Sequence, residues 1–235
     1  MFKKPGNRAI PQRAASAETR REIFESALAL FRERGFEETT MRDIARQAGV
    51  SLGAAYYYFN SKEALVGAYY AYVQEEHVDR CREVFARGGD LRARLRSALH
   101  AKLDIMRGDR RLLRALFRYG GDPDHELAWF GPATREQRQL SIAVFAESLE
   151  GERLPADVRE VAPTLLWALH MGVLLYFVHD SSRDQRRTRQ LIDAAVDFAI
   201  HMRRIVTSPL LRPLRRRVFN LLADAGLLAS GGPNA

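Results

Sequence analysis

The sequence predicts an all-α protein, with a small N-terminal group of three short helices joined to a larger helical body. Apolar residues recur at helical spacing almost throughout, no period-2 alternation is sustained between turn signals, and no internal repeat occurs at a fixed interval.

In order, Ile23, Phe24, Ala27, Leu28 and Phe31 form one apolar stripe over a helix expected from about Glu18 to Arg34. Gly35 stops it from the C′ position, where a residue without Cβ turns left-handed. Thr40 opens the second helix, and Asp43 completes a T-x-x-D capping pattern, with Ile44, Ala45 and Ala48 inward before Gly49. Ser51 caps a third helix reaching about Phe59, and Asn60 or Ser61 caps a longer one to about Ala86. Further helices are expected over Leu91 to Arg107, Arg110 to Tyr119, Ala133 to Glu150, Ala156 to Val178 and Asp184 to Val206, separated by glycine, proline and serine breaks. Pro163 either kinks the fourth of these or marks its start. A last amphipathic helix, Pro213 to Ala225, carries Leu214, Val218, Leu221 and Leu222 on its apolar side.

A hydrophobic share of 46% excludes wholesale disorder, and a net charge of +8 favours a polyanionic partner or an anionic surface. Cys81 is the single cysteine, so no intramolecular disulfide can form. Met1 to Ala17 carries Lys3, Lys4, Arg8 and Arg13 without an acid and lacks the apolar run of a signal peptide. The longest apolar stretch, Leu165 to Val178, is shorter than the roughly 20 residues a spanning helix needs. It reads as a buried core helix, and a soluble, cytoplasmic protein with no membrane partner is expected.

Three helices with glycine-containing turns, the second and third short, match a helix-turn-helix, in which the third lies in the major groove. In that third helix Gly53, Ala54 and Ala55 permit close approach, and the tyrosines after them place hydroxyls where phosphates lie. Lys62 sits in the first turn of the next helix, where the dipole disfavours a cation unless a phosphate joins it. Tyr58 and Phe59 are expected to be core, packed toward Phe24 and Phe31.

Thr39-Thr40-Met41-Arg42-Asp43-Ile44-Ala45, Ala48-Gly49-Val50-Ser51 and Tyr56-Tyr57-Tyr58-Phe59-x-Ser61-Lys62-Glu63 together resemble the signature of the TetR family of bacterial regulators. The likeness spans about Thr19 to Leu65 without gaps. It implies a homodimer that binds double-stranded DNA at a palindromic operator, with an N-terminal reading head and a helical ligand-binding and dimerisation domain. On this reading residues 1–17 are a basic arm, 18–62 the reading head, 63–207 the larger domain and 208–235 a basic helix and tail. The family's backbone contacts carry over onto Thr40, Ser51, Tyr56, Tyr57 and Lys62, and Arg42 matches a position that reads guanine in some members. Leu52, Gly53 and Ala54 offer the bases few hydrogen bonds, so site selection would rest on Arg42, thymine methyls and DNA shape. The basic arm is either a minor-groove contact or a solubilising tail.

Ala156 to Val178 is apolar on nearly every face, which calls for burial all round. A subunit interface with Asp184 to Val206 supplies it, giving four helices from two chains, with Leu169, Val173, Phe177, Leu191, Ala195, Phe198 and Met202 as candidates. The resemblance points to the same pair. His100, Met106, Phe117, Tyr119, Trp129, Phe130, Trp167 and His170 are candidates either for plain core or for a pocket taking a small apolar or aromatic effector. Arg203, Arg204, Arg212, Arg215, Arg216 and Arg217 make the tail basic, and it would pack on the dimer bundle, touch DNA or lie on a membrane.

Catalytic signatures are missing: there is no G-x-S-x-G, Walker or dinucleotide-binding glycine loop. His77 and Cys81 stand at i, i+4 without a third ligand, and Asp122, Asp124, His125 and Glu126 share a turn, which favours Asp for backbone reasons. Neither an enzyme nor a cofactor is expected. The function read from these residues is a repressor released by an effector; the alternative is a DNA-binding protein without small-molecule control that assembles through its basic tail.

Overall fold

The computed structural model describes residues 12–226, which form ten α-helices and no strand. They are α1 (Gln12–Glu33), α2 (Met41–Gln47), α3 (Leu52–Tyr58), α4 (Lys62–Ala86), α5 (Leu91–Ile105), α6 (Arg110–Gly120), α7 (Arg135–Ser148), α8 (Ala156–His179), α9 (Arg186–Val206) and α10 (Arg212–Asp224). Most of the basic arm expected at the N-terminus lies outside the described residues. Its last part does not: α1 begins six residues before Glu18, in an alanine-rich stretch that favours helix, and the Tyr58 hydroxyl lies 3.2 Å from Ser16 Oγ.

In the N-terminal head, α1 packs on α2, and α2 on α3, around Ile23, Ala27, Phe31, Ile44, Ala55 and Phe59. Phe59 is buried under the Arg20 guanidinium, while Tyr58 is only half-buried. Phe24 and Phe31 have other ring partners than expected, Tyr72 on α4 and Phe36 in the α1–α2 turn.

In the body α4, α5, α7 and α8 pack around Leu95, Leu99, Leu103, Phe145, Trp167 and Leu174. Pro163 lies inside α8, and Pro155 precedes its first turn. At 24 residues, with a mean hydropathy of 1.8 over its most apolar window, α8 is long and apolar enough to cross a membrane, unlike the shorter run read from sequence. Half of that window is buried in the bundle. Helix α9 begins later than expected, because Asp184 and Gln185 adopt left-handed φ of 53° and 51° in the turn before it. The buried Asp180 carboxylate supports that turn, accepting from Ser182 N (2.9 Å), Thr188 N (2.9 Å) and Thr188 Oγ1 (2.7 Å).

Along its inner side α9 is tied to α5 by polar side chains: Arg92 to Asp197, Arg96 Nε to Asp193 at 2.8 Å and Arg189 to Asp104 at 2.5 Å. Its other side leaves Leu191 and Phe198 exposed, and α8 for its part leaves Leu165, Leu175 and Tyr176 exposed. Val173 and Phe177, expected at an interface between subunits, are instead buried within one protomer at 1% and 0% exposure. A helix apolar on all faces does not reveal by its sequence which stripe points inward. Leu169, Ala195 and Met202 are half-buried.

Candidate DNA interface and effector cavity

The geometry of the head follows from its caps. Asp43 N donates to Thr40 Oγ1 (3.1 Å), and Asp43 Oδ2 accepts from Thr40 N (3.2 Å) and Thr40 Oγ1 (2.6 Å), closing a capping box on α2. Those bonds hold the Asp43 carboxyl below its ordinary pKa. The turn to α3 passes through Gly49 at φ 67°, a conformation that strains any residue with a Cβ. Ser51 then caps α3 by accepting from Ala54 N at 3.1 Å, which leaves its hydroxyl proton free to be donated.

These turns set α3 with Ala55 inward at 0% exposure and Leu52, Gly53, Tyr56 and Tyr57 outward, Tyr57 at 82%. Ala54 is half-buried at the edge of that face. Arg42 is exposed at the start of α2 and, among the described residues, makes no hydrogen bond or ion pair, whereas Arg46 is paired with Asp43 at 2.5 Å. Two residues read as phosphate contacts already have work inside the protein. The Thr40 hydroxyl donates to Asp43, and Lys62 Nζ donates to Phe36 O at 2.7 Å while lying 4.5 Å from the Phe36 ring centroid. Lys62 thereby fastens the α1–α2 turn to the start of α4.

A second feature lies in the body, where helices α4 to α8 border a partly open cavity of about 110 Å³. Met106, Phe117, Trp129, Trp167 and His170 line it together. Trp129 lies against the last turn of α6 because Gly120 has no side chain; a Cβ there would stand 2.0 Å from the indole nitrogen. His100 is not part of this cavity. It faces α9, with Nε2 2.9 Å from Asp193 Oδ1, a pairing across 93 residues that helical spacing could not reveal. Tyr119 sits at the junction with the head, its ring against Phe36 and stacked on His125. Phe130 is 61% exposed and meets Trp167 edge-on from outside.

Tyr70, Gln74 and Lys102 also line the cavity and were missed among the candidates. The signal was present. Lys102 falls in register with Leu95, Leu99 and Met106 on the inward side of α5, and Gln74 with Tyr70, His77 and Cys81 on α4. Lys102 Nζ donates to Gln74 Oε1 at 3.0 Å, and burial pulls its pKa down to about 7.

His77 and Cys81, weighed against an ordinary helix surface, are core residues at 0% and 1% exposure. The His77 ring lies parallel to His170, with Nε2 2.8 Å from Ala98 O, and burial pulls its pKa to about 3. Burial also pushes the Cys81 thiol up to about 12, so it stays protonated and unreactive. In the turn after α6, Asp122 and His125 accept from Asp124 N and Leu127 N. No cluster of three metal-ligating side chains occurs among the described residues.

Residues 23–69 match the family model of bacterial regulatory proteins of the tetR family, and residues 94–216 match that of the tetracyclin repressor-like C-terminal domain. The chain belongs to the TetR family. That family is one of bacterial regulatory proteins. The HTH-type transcriptional repressor KstR2 of Rhodococcus jostii is 41% identical over 32% of this chain and 37% of its own length. The HTH-type transcriptional regulator TtgR of Pseudomonas putida is 47% identical over 26% of this chain and 29% of its own. Both matches thus span only about a third of the relative. Among solved structures, a TetR transcriptional regulator from Nitrosomonas europaea superposes with a TM-score of 0.63 over 77% of this chain and 97% of that one, at 19% identity. A tetR-family regulator from Streptomyces coelicolor gives 0.59 over 89% and 98%, at 25% identity. Thermus thermophilus FadR, a repressor solved in complex with lauroyl-CoA, gives 0.54 over 78% and 92% at 23% identity, and shares the fold.

Proposed function

We propose that this TetR-family regulator is a homodimeric repressor that binds a palindromic operator in the cytoplasm and leaves it when a small molecule fills the cavity of the body. The supporting observation is the position of that cavity. Met106 lines it at the end of α5, and three residues later Asp109 meets Arg32 of α1, so a change in the cavity wall reaches the head through one short turn. Filling the cavity would favour a dimer whose reading heads no longer fit successive major grooves. Dimerisation is supported by the large apolar side chains that α8 and α9 leave exposed, among them Leu165, Leu175, Leu191 and Phe198. Thr40, Ser51, Tyr56, Tyr57 and Lys62 would grip phosphates, while Arg42, Leu52 and Ala54 face the bases. Lys62 would give up or share its carbonyl bond on binding. Selection from random DNA should return a palindrome; sequences without two-fold symmetry would overturn the reading.

One observation favours a second reading, in which assembly runs through the C-terminal helix without small-molecule control. Helix α10 packs on α8, and Arg215 is fixed to Asp157 at 2.8 Å, yet Leu214, Val218 and Leu221 stay exposed beside Arg212, Arg216 and Arg217. Anionic vesicles that compete with operator DNA for the protein would support it.

A further inference from the structure

The cavity is not lined as a receptor for a purely apolar molecule. Lys102, Gln74 and His170 are 6%, 3% and 1% exposed, and they reach the cavity from α5, α4 and α8. Among the described residues Gln74 Nε2, Tyr70 Oη and both ring nitrogens of His170 have no hydrogen-bond partner, although all are buried. Lys102 spends one of its three N–H donors on Gln74 and makes no ion pair, and the cavity lining contains no Asp or Glu. A buried ammonium without a counter-charge costs stability, and each unmatched polar group adds to that cost. Water can satisfy the hydrogen bonds of such a site but cannot supply the missing negative charge. The rest of the wall is mostly apolar, with Met106, Phe117, Trp129 and Trp167 prominent, but it also includes Thr134, Gln137, Ser141 and a second cation, Arg138 of α7, whose guanidinium donates to Trp129 O. At about 110 Å³ and partly open, the cavity is smaller than the closed apolar cavity of about 150 Å³ that takes up benzene, which limits the buried part of an occupant to a single ring or a short chain.

We propose that the effector of this cavity is a small organic carboxylate. Its carboxylate meets Lys102 and the free donors of Gln74 and Tyr70, and its single ring or short chain lies against Trp129 and Trp167. This rests on the effector-released reading above and names the chemical class for it. A carboxylate suits the site because two acceptor oxygens face an array of donors, and because it supplies the one charge the cavity lacks. A neutral molecule of the same shape would leave the ammonium uncompensated.

The test uses the full chain and matched pairs of probes: benzoate, phenylacetate and hexanoate against benzamide, phenylacetamide and hexanamide. Both tryptophans of the protein line the cavity, so their emission reports binding there. Release of selected operator DNA is followed in the same titrations. Acids should bind about ten-fold or more tightly than their amides, the margin expected of a charge-assisted hydrogen bond. Lys102→Met should erase that preference while amide binding and DNA binding persist. Lys102→Gln, which keeps a polar head in case the methionine variant misfolds, should do the same. Amides that bind and release DNA as well as the acids would overturn the carboxylate assignment and leave the effector reading standing. So would a preference for acids that survives in the Lys102 variants. Silence from every probe, with operator binding intact, would remove both readings.

Discussion

The Arg32 guanidinium of α1 donates a 2.5 Å hydrogen bond to Asp109, a carboxylate only 2% exposed at the turn between α5 and α6. Tyr69 of α4 donates to the other oxygen of the same carboxylate at 2.9 Å. One buried acid thus joins the head, the connecting helix and the end of α5 that carries Met106. Asp109→Asn keeps the shape and removes the charge, and should cost about 1.5–3 kcal/mol in urea unfolding, the range for a hydrogen bond to a charged group. Because the two residues act as a pair, Arg32→Ala should cost little more in that background. Additive losses would show that the pair is not the coupling unit.

Tyr57 and Arg42 should fail differently. Tyr57→Phe removes an exposed hydroxyl suited to a phosphate and should weaken binding to all sequences alike, by about 0.5–1.5 kcal/mol. Arg42→Ala should relax preference at a single base pair, by about 1–3 kcal/mol of discrimination. Competition titrations against single-base operator variants at fixed salt separate the two patterns, and identical profiles would count against a base-reading Arg42.

Phe198, 67% exposed on α9, faces away from the α5 ion pairs. Phe198→Asp places a charge where a second copy would bury a ring, so the variant should stay helical by circular dichroism yet run as a monomer in light scattering. A dimer of unchanged strength would move the interface elsewhere. Substituting Val173 or Phe177 is not an equivalent test, since both belong to the protomer core.

How far each of these features was readable follows from its range along the chain. The head was legible because its signals are local: Thr40 with Asp43, Gly49, and Ser51 each act within three residues or one turn. The pairing of His100 with Asp193, and the choice of inward face on α8, depend on contacts across the fold and left no periodic trace. Lys102 lies between these extremes. Its register pointed inward, but a lysine at an apolar position reads as a solvated exception until Gln74 is seen beside it.

Lys102 also predicts a pH dependence of stability. Burial lowers its pKa to about 7, below the value of about 10.4 expected in the unfolded chain. Between those values the unfolded chain holds a proton that the folded protein has lost, so Lys102 should make stability rise as the pH goes from about 7 to about 10. Below that window the folded protein carries the full cost of the buried charge. The titratable and charged groups around Lys102 are His77, Cys81 and Tyr70 of α4, His170 of α8 and Arg138 of α7, of which burial pushes the Tyr70 phenol up, out of the window. Both histidines are held neutral throughout the window, since burial lowers their pKa values. Cys81 acts in the opposite sense above its unfolded pKa of about 8.5, because burial keeps its thiol protonated in the folded state. The measurement is therefore a difference between the unmodified protein and Lys102→Met, in which the thiol's contribution largely cancels. Urea unfolding across this pH range should show Lys102→Met more stable at neutral pH, with the gap closing toward pH 10. A gap that does not change with pH would mean that the ammonium is hydrated, and would remove the reason for the cavity to demand an anion.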